Sequence, residues 1–177
     1  AVIGLHEIVS NEITTKEEAV VNTCVLKCGT AANIIPDKAT ISGTVRCLDP
    51  EVRETLEAAI RRVANAAALL CGCEAEINYI RGTDAVINDE ETVNNIIAST
   101  SKIVGSENIV HLKSLLGGED FSFYRKYVEK IAFYRVGTGT PESGPVIQLH
   151  NAHYDTNDEV IPYCIAAHIQ CVYDLNG

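Results

Sequence analysis

The sequence contains no Met at all, so no initiator residue, and the expectation is a processed chain or a piece of something longer. No apolar run approaches the length needed to span a bilayer, which excludes a transmembrane protein. Ala1-Val2-Ile3-Gly4 shows neither the basic region nor the cleavage pattern of a signal peptide. Basic residues are also scarce: 14 Lys and Arg face 24 Asp and Glu, a formal charge of −10. Divided at Asn88, the first part holds 8 basic and 12 acidic residues and the second 6 and 12. Neither part carries a basic footprint, so nucleic acid and an anionic membrane are not expected partners. Internal repeats and low-complexity segments are missing too.

What remains is the composition of a globular protein. Hydrophobic residues make up 46 % and charged residues 21 % of 177 positions, which excludes disorder as the main state. That length suits one domain or two small ones. The 7 Cys are odd in number, and Cys71-Gly72-Cys73 is not a C-x2-C knuckle. They read as free, buried, small apolar residues of a reducing, cytoplasmic environment rather than as a disulfide framework or a Cys zinc site.

Residues 1–10 read as the tail of a helix, with Leu5, Ile8 and Val9 on one face. A polar loop over 11–18 leads to a β-branched strand at 19–28. The next strand alternates cleanly: Ala39, Ile41, Val45 and Cys47 point one way, Thr40, Ser42, Thr44 and Arg46 the other. Asp49-Pro50 starts a helix whose stripe is Val52, Leu56, Ile60, Val63, Ala67 and Leu70, and Gly72 stops it. Residues 73–80 alternate again and read as a strand. The order matches most of a ferredoxin-like βαββαβ unit whose first strand would precede residue 1.

Composition shifts at Arg81-Gly82-Thr83-Asp84, which divides an α+β unit at 1–84 from a second unit at 85–177. The second unit reads as helix from Asn88 to Gly105, loop over 113–120, short helix over 121–130, buried strand over 131–136, Gly-rich loop over 137–144 and final helix over 158–173. It looks like the end of a larger α/β domain.

Few residues invite chemistry. His150 follows an apolar stretch and precedes Asp155, Asp158 and Glu159, where α/β folds keep ligands. It reads as a metal ligand, an acid/base or an ordinary surface His, and spacing alone favours the last. His6, His111 and His168 read as structural. Arg46 is the single charge on the polar face of its strand. With Asn33 in the preceding loop it would make a carboxylate receptor, against the commoner fate of a surface ion pair. Gly117-Gly118-Glu119-Asp120-Phe121 combines a flexible backbone open to close approach with two adjacent carboxylates, which also suit the start of a helix.

Three motifs carry a resemblance. Gly29-Thr30-Ala31-Ala32-Asn33-Ile34-Ile35-Pro36-Asp37-Lys38-Ala39 with Gly43-Thr44-Val45-Arg46 resembles the lid-domain signature of the metallo-amidohydrolases. That family includes hippurate hydrolases, indole-acetyl-amino acid hydrolases, aminoacylases and zinc carboxypeptidases. Gly118-Glu119-Asp120-Phe121-Ser122 resembles its Glu-Asp-Phe motif, and Leu149-His150-Asn151 with Asp158-Glu159-Val160-Ile161-Pro162 its closing motif. The motifs stand in the family's order over nearly the whole chain, closest to the hippurate and indole-acetyl-amino acid hydrolase branch.

The resemblance implies a lid that also forms a homodimer, joined to a catalytic domain with two divalent ions, zinc or manganese. A metal-activated water would hydrolyse the amide of an N-acyl amino acid or small peptide. It implies His150 as a metal ligand, Asn33, Arg46 and Gly118 as substrate-binding residues, and Glu119 and Asp120 as supporting residues. The catalytic base and the other ligands would lie upstream of residue 1, so this stretch alone should be inactive. Cys28 departs from the usual Gly, and Asn11 from the frequent Arg. The rival reading is a non-catalytic dimerisation or small-molecule-binding module of the same fold.

Overall fold

A computed structural model describes residues 1–139, 147 and 149–177. The expected Gly-rich loop runs out of the described residues at 140. The chain divides into two compact units, Ala1–Val86 with Ser114–Phe123, and Ile87–Lys113 with Tyr124–Gly177. Among the described residues no helix is long and apolar enough to cross a membrane.

The first unit is built from α1 (Val2–Glu12), β1 (Ala19–Cys28), β2 (Ala39–Cys47) and α2 (Pro50–Leu70). The apolar faces meet in a core of Ile8, Val21, Val52, Leu56 and Ala59. The expected stripe of α2 is therefore buried at its N-terminal end, whereas Leu70 at the other end is 87 % exposed. Asp49 caps α2 by accepting from the Glu51 N–H at 2.7 Å, and Pro50 opens the first turn. Gly72, at φ 67°, closes it. Its N–H reaches the Leu69 carbonyl, and that of Cys73 the Ala68 carbonyl, so two of the last orphan acceptors are satisfied.

β1 and β2 pair antiparallel, Ala19 opposite Cys47 and Cys28 opposite Ala39, with a bulge between Thr23 and Val25. His6 accepts the Thr23 N–H at 3.4 Å through Nε2, which gives the sequence's structural reading of this His a concrete job. Across the bulge only Gly fits: a Cβ on Gly43 would stand 2.0 Å from the Asn22 carbonyl oxygen.

The expected strand at 73–80 is not formed. Its alternation is real, since Ala75, Ile77 and Tyr79 are half-buried and their neighbours exposed. Yet among the described residues the sheet has two strands, β1 and β2. No backbone–backbone hydrogen bond reaches residues 74–82 among the described residues. A strand is completed by a neighbour's ladder, and this segment meets none.

The second unit packs α3 (Glu90–Val104) against α4 (Ile161–Asn176). Asp89 caps α3, accepting from Thr92 N–H at 2.9 Å and from its hydroxyl at 2.7 Å. The Ser99 hydroxyl, 3 % exposed, donates to Asp174 at 2.6 Å, and Lys102 reaches the same carboxylate at 2.8 Å. The expected strand over 131–136 is likewise absent, although Ile131 is buried. Instead Asn88 and Asp89 pin the segment to the head of α3. Asn88 bonds both backbone groups of Phe133, and the Asp89 N–H donates to the Ile131 carbonyl at 2.8 Å. The expected short helix over 121–130 is a 3-10 helix, Asp120–Lys126. The final helix begins as a 3-10 turn, Asp158–Val160, and holds Pro162 in its first α turn.

Candidate functional site

Arg46 sits one residue from the end of β2, opposite Val20. The pleat turns Val45 and Cys47 inward, half-buried, and leaves Thr44 and Arg46 exposed. Arg53, Arg61, Arg62 and Arg81 of the same unit each hold a carboxylate. Among the described residues no carboxylate pairs with Arg46. The surface-ion-pair reading of this residue is thus not what the structure shows.

The loop over 114–123 belongs to this unit and brings Gly118 to Arg46. A Cβ on Gly118 would lie 3.1 Å from Arg46 Nη1 and 3.2 Å from Thr83 Oγ1. The glycine is needed there for space, because its backbone rests against the guanidinium. Thr83 was not singled out from the sequence, though the composition shift at 81–84 marked its neighbourhood. Arg53, on α2, fixes this stretch by donating to the Thr83 carbonyl and to Asp84 Oδ1, both at 2.6 Å. Burial pushes the nearby Cys47 thiol up, opposed by Arg53. Arg81 bonds Glu54 and Glu57 on the same helix. Hydrogen bonds from Arg61 and then Arg81 hold Glu57 below the usual carboxylate range. Guanidinium, hydroxyl and glycine backbone form an open polar corner suited to a small anionic group.

The structure does not unite Asn33 with this corner. Asn33 is exposed in the loop joining β1 to β2, beyond the Cys28–Ala39 end of the hairpin. Arg46 lies seven residues past Ala39, roughly 24 Å away along a strand rising about 3.4 Å per residue. The receptor expected from Asn33 plus Arg46 is therefore not assembled within one chain. Sequence proximity concealed that the two residues bracket the length of a strand.

Glu119 is half-buried and its backbone carbonyl accepts the Ser122 N–H at 3.2 Å, while Asp120 opens the 3-10 helix. Their geometry is that of a helix start. Ser122 is 3 % exposed and its hydroxyl has no partner among the described residues. His150 belongs to the second unit, exposed in a turn at φ 67°, the left-handed region that few residues other than glycine adopt. Among the described residues no three His, Cys, Asp or Glu side chains converge as a metal site. His150 by itself does not fit a metal pair.

Residues 1–174 match Peptidase family M20/M25/M40. The chain belongs to this family. Among M20 relatives, an uncharacterized hydrolase, y4tI, of Sinorhizobium fredii is 30 % identical over 97 % of this chain and 42 % of its own length. The N-acetylcysteine deacetylase of Bacillus subtilis is 34 % identical over 77 % of this chain and 35 % of its own. The crystal structure of the Bacillus subtilis YXEP protein, a dinuclear metal binding peptidase of the M20 family, superposes with a TM-score of 0.74 at 26 % identity. It covers 96 % of this chain and 44 % of its own. The chain thus spans about two-fifths of the M20 proteins it matches.

Proposed function

We propose that this M20 chain is part of a longer metal-dependent hydrolase that cleaves the amide bond of N-acyl amino acids or small peptides. Its Arg46, Gly118 and Thr83 corner would receive the free carboxylate of the substrate. The observation that carries the reading is Arg46 itself: an exposed cation at a strand end, without the ion pair that occupies every other arginine of its unit. A guanidinium binds a carboxylate through two parallel hydrogen bonds, and the Gly118 backbone leaves space for that approach. Glu119 and Asp120 shape the loop that presents Gly118.

The relatives support the class of reaction. One deacetylates N-acetylcysteine and another is a dinuclear metal binding peptidase. Zinc or manganese is the proposed metal, with His150 one of its ligands and the remainder, like the catalytic base, supplied by polypeptide outside residues 1–177. By this reading the 177 residues alone are inactive. Residues 1–84 act as a ferredoxin-like lid through which two copies associate, and residues 85–177 complete the catalytic domain. Asn33, distant from Arg46 in its own chain, would then serve a second copy. A reducing cytoplasm is the proposed setting, a reading supported by an odd set of seven cysteines.

The test is hydrolysis of hippurate and N-acetylcysteine by the full-length protein, before and after chelation and with zinc or manganese restored. Arg46→Ala should lower kcat/KM about a hundredfold for free-carboxylate substrates and leave their carboxamides little changed, the loss of one charge-assisted pair. Equal losses on both substrates would remove Arg46 from the role. Absence of any chelator-sensitive hydrolysis would favour a non-catalytic binding module.

A further inference from the structure

Thr83 comes to Arg46 on a segment whose backbone does little to hold it. Residues 81–84 belong to no helix or strand, and among the described residues no backbone–backbone hydrogen bond reaches them. Their placement rests on side-chain bonds to α2. Arg81 bonds Glu54 and Glu57 of that helix. Arg53 takes hold at Thr83 itself: its Nη2 donates to the Thr83 carbonyl and its Nη1 to Asp84 Oδ1, both at 2.6 Å. The bond to the carbonyl is partly buried, whereas the one to Asp84 is exposed.

The sheltered bond fixes where the Thr83 hydroxyl stands. Thr83 Oγ1 and Arg46 Nη1 lie 3.2 Å and 3.1 Å from one point, the place of the Cβ that Gly118 lacks. Carbonyl and hydroxyl belong to the same residue, so a shift of the first moves the second. A planar guanidinium suits this task, because its two Nη groups donate in fixed directions that a Lys ammonium does not reproduce. Asp84 neutralises the Arg53 charge, so Arg53 is no second receptor for an anion. Its guanidinium also lies near the Cys47 thiol, next to Arg46 in β2. One side chain thus touches both stretches that have to stay in place, the end of β2 and residues 83–84.

We propose that Arg53 is a positioning residue for substrate recognition: by holding Thr83 beside Arg46 it sets the preference for substrates with a free carboxylate over their carboxamides. Arg53 touches no substrate atom and acts through Thr83. A carboxylate has acceptor sites enough for both nitrogens of the Arg46 fork and for the Thr83 hydroxyl as well. A carboxamide turns an NH2 donor toward one of those donors, so it gains less from a fixed Thr83. The inference rests on the reading that Arg46 receives the substrate carboxylate.

The test is kinetic, on the full-length protein, with hippurate and its carboxamide. Arg53→Lys should lower the ratio of kcat/KM for the acid to that for the amide about tenfold, through KM of the acid and with kcat little changed. Thr83→Val should do the same, and Thr83→Ser, which keeps the hydroxyl, should restore the ratio. The double variant Arg53→Lys, Thr83→Val should lose no more than either single one, since the two act as a unit. Additive losses, or equal losses on acid and amide, would overturn the proposal and leave Arg53 a residue of folding alone. Should Arg53→Lys lose its helical signal in far-UV circular dichroism, Arg53→Gln is measured in its place, and failure of both to fold would overturn the proposal too. Arg46→Ala tells the two readings apart. A lost preference in Arg46→Ala with none lost in Arg53→Lys removes the positioning role and keeps the receptor. An unchanged preference in Arg46→Ala removes the receptor, and Arg53 with it.

Discussion

Gly43 shows how much one missing side chain can decide. The bulge at Thr23–Val25 pushes the Asn22 carbonyl into the space where a Cβ at position 43 would stand, 2.0 Å away. The obstacle is backbone, so it cannot swing aside. Gly43→Ala should destabilise the first unit by about 3 kcal/mol, at the upper end of overpacking costs, read as a lower urea midpoint with unchanged m. Gly118 poses the opposite case. Its nearest neighbours are the ends of the Arg46 and Thr83 side chains, which can yield. Gly118→Ala should therefore leave Tm of the full-length enzyme within a few degrees, yet raise KM for free-carboxylate substrates about tenfold by displacing the guanidinium. A large Tm loss with unchanged KM would show that the glycine serves folding alone.

Elements with local instructions carry their own start and stop signals. α2 has a cap, a Pro and a terminating Gly, and α3 has Asp89 and Gly105. The Asp89 carboxyl is held below its usual range first by the hydrogen bond from the Thr92 side chain and then by that from its backbone. Lys102 and then Ser99 do the same for Asp174. A depressed folded-state pKa means stability that is fully present above the ordinary carboxylate value of about 3.9 and is lost as pH falls through the lower folded value. Helical signal from the second unit should thus decline on acidification below about pH 4. Asp89→Asn retains an acceptor at the cap but not the titration, so its decline in far-UV circular dichroism should be shallower. An identical acid profile would assign the loss to other groups.

At the scale of the molecule, the free edge of β1 and the association of whole chains come together. Among the described residues β1 pairs with β2 alone, and Lys27 is the single charge within it. An edge so lightly protected invites pairing with its own copy. The full-length protein should therefore be a homodimer by light scattering at micromolar concentration, and a monomer would count against the lid contact. The 177 residues alone should neither hydrolyse hippurate nor retain stoichiometric zinc through dialysis.

Periodicity and caps made much of this chain legible in advance. β1, β2, α2 and α3 lie within a residue or two of where alternation, Asp49-Pro50, Gly72 and Gly105 put them, because each signal acts through neighbours a few residues apart. The family was legible for the same reason, its motifs being contiguous. Residues 73–80 and 131–136 were beyond that reach: both carry strand-like patterning, but a strand exists only with a partner, and the partner is not written in the segment. Tertiary structure also decided the corner. It joined Arg46 to Gly118 and Thr83 across long stretches of sequence and set Asn33 at the opposite end of the hairpin. The physical reason is common to both: local backbone preference selects an element, whereas pairing and proximity depend on where the rest of the chain has gone.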